Sequence, residues 1–426
     1  MRSIIVSGPS RLSGSVCVPG AKNSVLPIFA ASLLCAGTVT LHNVPRLSDV
    51  SAAAEIHAAL GCTAVLAGHA AVLCADGMTA CDIPHTLSAK MRSSVFYLAP
   101  LLIRTGRAAL SAPGGCNLGP RPIDIHVDGL CAMGARVVQE GGGASALVAP
   151  DGLHGTDYTL RFPSVGATET LLTAACAARG TTVLRGVAEE PEVVDLARFL
   201  RAAGADIAGE GTSRITVRGG RPLFGTEYTV CPDRIVAATV LCAAAGCGGE
   251  VIVDGCPAAQ LEPLLTLLRR AGCSATTLGP RTAALSSDGV LHGLGLVQTG
   301  VYPGFPTDMA PLLGAALLRA DGMTVIRDTI FSNRFACAAG FAELGANAAA
   351  SGESLIVGGA CALRAACVSS PDLRGGAALV IAAMMSEGES VVEDAQYIDR
   401  GYEDIAALFA PLGAQIETGC GCPCAV

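Results

Sequence analysis

Apolar and polar positions along this chain recur in blocks. Six times a run of Ala, Leu and Val at helical spacing ends in Leu, Met or Ala, then glycine, then Ala or Cys. These endings are Leu60-Gly61-Cys62, Met133-Gly134-Ala135, Ala203-Gly204-Ala205, Ala271-Gly272-Cys273, Leu344-Gly345-Ala346 and Leu412-Gly413-Ala414. Their glycines lie 73, 70, 68, 73 and 68 residues apart. Glycine at that place predicts the end of a helix in the left-handed conformation, where a Cβ would be penalised. Alternating stretches follow, as in Arg214-Ile-Thr-Val-Arg218, and predict a hairpin. A second series, Gly37, Gly106, Gly180, Gly249, Gly322 and Gly388, runs in step. Each of these follows an Ala/Leu-rich helical run and precedes a strand-like one, such as Thr181–Leu184 or Val251–Val253. Every block of about 70 residues therefore reads strand, helix, strand, helix, hairpin. The pattern predicts six α/β units, three in each of two domains, and its period is too long for a short-repeat solenoid.

Composition sharpens this picture. A chain of 426 residues is too long for one compact core, which favours two domains. Apolar residues make up 51% and charged residues 15%, with no Trp, so the core must be built from small aliphatic side chains. The longest apolar run, near Ile235–Cys247, falls short of the roughly 18 residues that cross a bilayer. No charged start with an apolar stretch marks a signal peptide, so a cytoplasmic chain without membrane attachment is expected. The nineteen cysteines are scattered, and those in apolar surroundings (Cys35, Cys176, Cys242) are expected to act as small reduced hydrophobes. Cys420, Cys422 and Cys424 lack zinc-site spacing and are expected to form a tail without metal chemistry. The seven histidines stand apart, so no metal motif arises. A net charge of −8 argues against a nucleic-acid partner. Only Lys22 and Lys90 are lysines among 28 basic residues, and a site needing a compact ammonium would resist replacement by arginine.

Candidate chemistry concentrates in a few places. Ser111–His126, S-A-P-G-G-C-N-L-G-P-R-P-I-D-I-H, is punctuated by Gly and Pro, long for a connection, and poor in the polar residues of a disordered segment. It predicts a mobile lid that carries a reactive thiol, Cys116, and a cation, Arg121, with Gly114 and Gly115 supplying freedom to move. Val18-Pro-Gly-Ala-Lys22-Asn23-Ser24 opens the first helix, with Asn23 or Ser24 as its cap and Lys22 as an anion clamp. Ser164-Val-Gly166-Ala-Thr168 opens another and suits either phosphate oxygens or a plain N-cap. Lys90-Met-Arg92, Asp233-Arg234, Thr307-Asp308 and Asp372-Leu-Arg374 mark further helix starts. In a chain so poor in charge, they suggest helix starts converging on a polar cleft between the domains; capping by aspartate with routine Asp–Arg pairing is the plainer reading.

Taken in order, Pro19–Asn23, Pro113–His126, Pro163–Thr168, Glu190-Pro-Glu192, Pro232-Asp-Arg234, Phe305-Pro-Thr-Asp-Met309, Phe331-Ser-Asn-Arg334, Asp372-Leu-Arg374 and Ile398-Asp-Arg-Gly-Tyr402 resemble the UDP-N-acetylglucosamine enolpyruvyl transferases. The resemblance spans the chain apart from its Cys-rich end. It implies a two-domain inside-out α/β barrel of six βαβαββ repeats, three per domain. It also implies a discontinuous domain, residues 1–21 with 232–426, and an inserted domain, residues 22–231. The implied substrates are phosphoenolpyruvate and UDP-N-acetylglucosamine, bound between the domains, with no cofactor and no metal.

The resemblance further implies roles. Cys116 would deliver a proton to C3 of the enol, bond covalently to the enolpyruvyl carbon, and react with the epoxide antibiotic fosfomycin. Asp308 would take the proton of the sugar hydroxyl. Lys22, Arg121 and Arg400 would hold phosphoenolpyruvate, with Arg92, Arg234 and Arg374 around it. The sugar nucleotide would lie along Asn23, Arg121, Pro122, Ile123, Asp124, Ile125, Phe162, Pro163, Ser164, Val165, Gly166, Asp308 and Ile330. Arg334 and Asp372 complete the binding set. Phe162 stands where some family members have lysine, which leaves a charge contact missing or moved to Arg161; Val236 and Tyr397 also depart from the pattern. Two alternatives are a 3-phosphoshikimate 1-carboxyvinyltransferase and a non-catalytic paralogue that binds the UDP-sugar.

Overall fold

The computed structural model describes residues 2–110, 114, 122–140, 145–359 and 361–420. Cys116, Arg121, Gly115, Cys422 and Cys424 lie outside the described residues. The chain forms two compact units. One holds Met1–Pro19 and Pro232–Val426; the other starts at Gly20 and ends at Cys231.

Each unit is built around three helices. In the Gly20–Cys231 unit these are α1 (Lys22–Ser32), α2 (Leu98–Thr105, entered through the 3-10 turn Arg92–Tyr97) and α3 (Val165–Ala177). In the other they are α4 (Arg234–Cys247), α5 (Ala310–Ala316) and α6 (Leu373–Met384). Every residue of α5 and α6 is buried, as is Arg234–Gly246 of α4, and the three pack against one another. A helix that is apolar all round belongs inside a core, and the Ala/Leu/Gly composition lets these backbones approach closely. The sheets lie outside them, each with one buried face. The second helix of the fourth repeat is amphipathic: in Glu262–Arg270 the leucines Leu264, Leu265, Leu267 and Leu268 are buried, while Arg269 and Arg270 are exposed.

Five of the repeats have four-stranded sheets of one design: a first strand parallel to the second, then two antiparallel strands. In the third repeat Asp157–Thr159 runs parallel to Thr181–Arg185, which pairs antiparallel with Arg214–Arg218, itself paired with Asp206–Ala208. The second repeat shows three strands among the described residues. Three repeats borrow a strand from far along the chain. Glu227–Thr229 is the parallel partner of Thr38–His42, and Leu12–Cys17 that of Gly249–Asp254. Arg2–Gly8 lies between Gly388–Glu393 and Gln415–Cys420. All twelve glycines of the two sequence series have φ between +74° and +129°, so both series mark positions where a side chain would be strained.

The two crossings are pinned by backbone. Asp233 N–H donates to Pro19 O at 2.8 Å, and Ala21 N–H to Cys231 O at 2.7 Å. A Cβ placed on Gly20 would sit 1.8 Å from the carbonyl oxygen of Asn43. Gly20→Ala is therefore expected to cost at least about 1–3 kcal/mol through forced backbone movement; a urea midpoint equal to that of the parent would show that this approach is not required.

Among the described residues no helix is long and apolar enough to cross a membrane. The fifteen cysteines whose side chains are described are all free thiols. No group of His, Cys, Asp and Glu among those residues could hold a metal ion.

Candidate active site

The unit that holds α4, α5 and α6 gathers charge at the start of these helices. Asp233 caps α4: its Oδ1 accepts from Ile235 N at 2.7 Å and Val236 N at 3.2 Å. Asp372 caps α6 in the same way, accepting from Arg374 N at 2.9 Å and Gly375 N at 3.0 Å. Asp308, in the turn before α5, caps nothing. Its Oδ1 accepts from Arg334 Nη2 at 2.9 Å and its Oδ2 from Arg374 Nε at 3.2 Å. The Arg334 and Arg374 side chains are 1% and 3% exposed, whereas that of Asp308 is 26% exposed. Asp308 is thus the open end of a buried ion cluster. Burial alone would raise its pKa, but Arg374, Arg334 and Arg234 outweigh burial and hold the carboxyl well below the usual range.

Aromatic rings back these cations. Arg234 lies 5.7 Å from the Tyr302 ring centroid, Arg334 4.8 Å from Phe331, and Arg374 5.9 Å from Tyr402. The Tyr402 hydroxyl shares a 2.7 Å hydrogen bond with Thr239 Oγ1. Arg374 Nη1 and Asp372 Oδ2 are buried and meet no hydrogen-bond partner among the described residues, which leaves polar valence at the start of α6. Arg400 ends the 3-10 turn Ala395–Arg400, which packs on α6.

The Gly20–Cys231 unit presents two polar groups. Lys22 starts α1 and is buried, with Nζ 2.9 Å from Asp49 Oδ2. Lys90, by contrast, forms an exposed pair with Glu55 at 2.6 Å. Elsewhere in the unit the starts of α3 and of Asp124–Ala132 meet. A Cβ on Gly166 would lie 3.2 Å from His126 Cε1 and 3.6 Å from Phe96. His126 is buried, its Nδ1 3.0 Å from Thr170 Oγ1. Burial first, and then the nearby Arg92 cation, pushes its pKa down to about 4, so the ring is neutral at neutral pH. Arg161 pairs with both Asp124 and Asp128, and Phe162 beside it is 42% exposed.

A buried cluster of arginine and aspartate at three helix starts, on a scaffold of six repeats, invites comparison with known proteins. A family model described as EPSP synthase (3-phosphoshikimate 1-carboxyvinyltransferase) matches residues 6–408. The chain belongs to the enolpyruvyl transferases. Relatives of this enolpyruvyl transferase include UDP-N-acetylglucosamine 1-carboxyvinyltransferase 1 of Symbiobacterium thermophilum, 43% identical over 97% of this chain and 94% of that one. Another is UDP-N-acetylglucosamine 1-carboxyvinyltransferase 2 of Caldanaerobacter subterraneus subsp. tengcongensis, 41% identical over 96% of this chain and 98% of that one. Among solved structures, the enolpyruvyl transferase NikO from Streptomyces tendae superposes with a TM-score of 0.88 at 26% identity, covering 98% of each chain. The EPSP synthase from Acinetobacter baumannii shares the fold, with a TM-score of 0.72 at 21% identity over 98% of this chain and 99% of that one.

The sequence-derived candidates fall into groups in this enolpyruvyl transferase. Asp308, Arg334 and Arg374 are joined directly, Arg234 acts on Asp308, and Asp372 caps the helix that carries Arg374. Ile330 lies in the turn that leads to Arg334, its N–H bonded to Asp328 Oδ1 at 2.7 Å. In the other unit, Pro122–Ile125 and Phe162–Gly166 lie at the starts of Asp124–Ala132 and of α3; Gly166 approaches His126, whose ring feels the Arg92 charge. Lys22 stands beside Asp49, and Asn23 is exposed.

Some expectations are corrected. Neither Asn23 nor Ser24 caps α1: the N-cap is Ala21, and the Ser24 hydroxyl lies 3.1 Å from Cys231 Sγ. Ser164 does cap α3, accepting from Ala167 N at 3.3 Å. Gly114 was expected to give freedom to move. Instead, a Cβ there would lie 1.7 Å from Ala89 O, so glycine is needed for close approach. A charge transferred to Arg161 is already taken up by Asp124 and Asp128. The sequence reading gave no role to His126 or Thr307, which it met only inside longer motifs, and passed over Asp49 and Asp328. Lone residues of these types at helix starts and strand ends carry no motif of their own; only their partners distinguish them.

Proposed function

We propose that this enolpyruvyl transferase moves the enolpyruvyl group of phosphoenolpyruvate to the 3-hydroxyl of UDP-N-acetylglucosamine and releases phosphate. The observation that carries this reading is Asp308, a carboxylate open to solvent at the end of a buried arginine cluster. The names of the relatives at 41–43% identity favour the UDP-sugar over shikimate 3-phosphate as acceptor. The proposal places the chain in the cytoplasm.

Addition forms a bond from the sugar oxygen to C2 of the enol, while C3 gains a proton and the hydroxyl loses one. Elimination expels phosphate and removes a proton from C3, restoring the double bond. The balance needs no cofactor. Cys116, which lies outside the described residues, is the proposed donor to C3, since a thiol titrates near working pH and cations lower its pKa further. Asp308 is the proposed acceptor of the hydroxyl proton. A carboxylate held so low by Arg334 and Arg374 is a weak base. It takes the proton late, when bond formation to C2 has made the hydroxyl acidic. Lys22, Arg121 and Arg400 are assigned to phosphoenolpyruvate, and Arg374 Nη1 has capacity for an anionic oxygen. Asn23, Arg92, Pro122–Ile125, Phe162–Gly166 and Ile330 are assigned to the sugar nucleotide.

The test supplies phosphoenolpyruvate with each acceptor and measures phosphate. Release with UDP-N-acetylglucosamine and none with shikimate 3-phosphate is expected. Release with shikimate 3-phosphate alone overturns the proposal. UDP-sugar binding without release from either acceptor identifies a binding paralogue.

A further inference from the structure

Behind Asp308 lies a second carboxylate that the reaction itself does not require. Asp328 is fully buried, at the end of the strand Met323–Arg327. Its two oxygens divide their work. Oδ1 accepts the N–H groups of Ile330 at 2.7 Å and Phe331 at 2.9 Å, fixing the turn that leads to Arg334. Oδ2 accepts the hydroxyl of Thr307. Thr307 Oγ1 in turn accepts Arg334 Nε at 2.9 Å, and Arg334 Nη2 donates to Asp308 Oδ1 at 2.9 Å. Arg334 Nε itself is 3.8 Å from Asp328 Oδ2, too long for a hydrogen bond.

The donors and acceptors allow only one direction through this chain. A buried carboxylate accepts but cannot donate, so the Thr307 proton points to Asp328. The Thr307 lone pair is then left for Arg334. The guanidinium fork is planar and rigid, so fixing Nε also fixes the Nη2 that reaches Asp308. We propose that Asp328 and the Thr307 hydroxyl are positioning residues for this transferase, aligning Arg334 so that its fork holds the Asp308 carboxylate in the place from which it meets the sugar hydroxyl. The role of Asp308 rests on the function proposed above; the alignment of Arg334 does not.

Threonine separates this role from simple packing. Valine keeps the shape of Thr307 but has no hydroxyl, whereas serine keeps the hydroxyl but loses the methyl group. If the relay positions Asp308, Thr307→Val lowers kcat by about 10–100-fold, the scale of a misplacement near 1 Å, while UDP-sugar affinity stays at the parent value. Thr307→Ser remains within about 3-fold of the parent. Asp328→Asn, which puts an amide where Thr307 needs an acceptor, lowers kcat as far as Thr307→Val does, and the double variant falls no further. Parent kcat in Thr307→Val, equal damage in Thr307→Ser, or losses that multiply in the double variant overturn the proposal.

A parent protein that releases no phosphate from either acceptor defeats the functional reading alone. The relay is then decided by the Arg334 Nε–H resonance in nitrogen-15 NMR. Slow exchange with solvent in the parent and Thr307→Ser, and fast exchange in Thr307→Val and Asp328→Asn, support it. The same exchange rate in all four overturns it.

Discussion

Asp308→Asn is expected to lower kcat by about 10²–10⁴-fold, the range lost with a positioned proton acceptor, while the fold is retained. The amide can still accept from one guanidinium but must turn an N–H₂ towards the other. Asp308→Ala removes both acceptors. It leaves Arg374, 3% exposed, without the carboxylate it bonds, and Arg334, 1% exposed, with only the more distant Asp328 at 3.8 Å. Breaking a buried pair from one side costs about 3–5 kcal/mol, so a marked fall in the urea midpoint is expected for alanine and a smaller one for asparagine. The pH dependence has a definite sign. Arginine holds the folded-state pKa of Asp308 below its unfolded value. Its contribution to stability is therefore complete above about pH 4, the unperturbed carboxylate value, and declines as pH falls below that. Stability curves of parent and Asp308→Asn should converge in acid. Parent turnover in Asp308→Asn would remove Asp308 from the chemistry, and curves that stay parallel would remove the ion cluster from the stability of the fold.

The fold was legible because its repeat is enforced by backbone geometry. A helix end with positive φ needs glycine whatever surrounds it, and both glycine series took that conformation. Helices inside sheets were not written in the glycines. They follow from the all-round apolar character of segments such as Leu373–Met384, every residue of which is buried. Strand exchange was not legible. Nothing local in Arg2–Gly8 says that it joins Gly388–Glu393, because pairing over that distance is decided by which sheet lacks a strand. In the candidate site, the resemblance named Asp308, Arg334 and Arg374, and the structure joined them by hydrogen bonds. The plainer reading of aspartates at helix starts also proved partly right, since Asp233 and Asp372 are caps and Asp308 is not. Asp328 escaped notice because Arg-Asp-Thr at a strand end has no pattern of its own; its burial alone shows that its charge must be compensated.

Cys116→Ser is expected to lose turnover by about 10³-fold or more while binding UDP-N-acetylglucosamine as the parent does. A serine hydroxyl is a far weaker acid than a thiol with a pKa near 8.5, and proton delivery to carbon depends on acid strength. Cys116→Asp restores a group able to donate, so it should retain activity that falls as pH rises and the carboxyl ionises. The epoxide of fosfomycin, opened by thiolate, gives a second readout: one drug molecule added per chain when UDP-sugar is present. With nineteen cysteines, selectivity is the difficulty. Burial answers part of it, since it pushes the thiols of Cys35 and Cys176 up to about 12 and so suppresses their thiolates. Cys17, Cys81 and Cys367 are exposed and remain open to the reagent. Loss of the adduct in Cys116→Ser therefore decides the matter. A serine variant that still gains one molecule of drug, or still turns over at the parent rate, would show that the proton comes from elsewhere. Loss of both drug addition and turnover, with UDP-sugar affinity intact, would assign the acid to Cys116, a thiol that the repeat pattern alone gives no reason to single out.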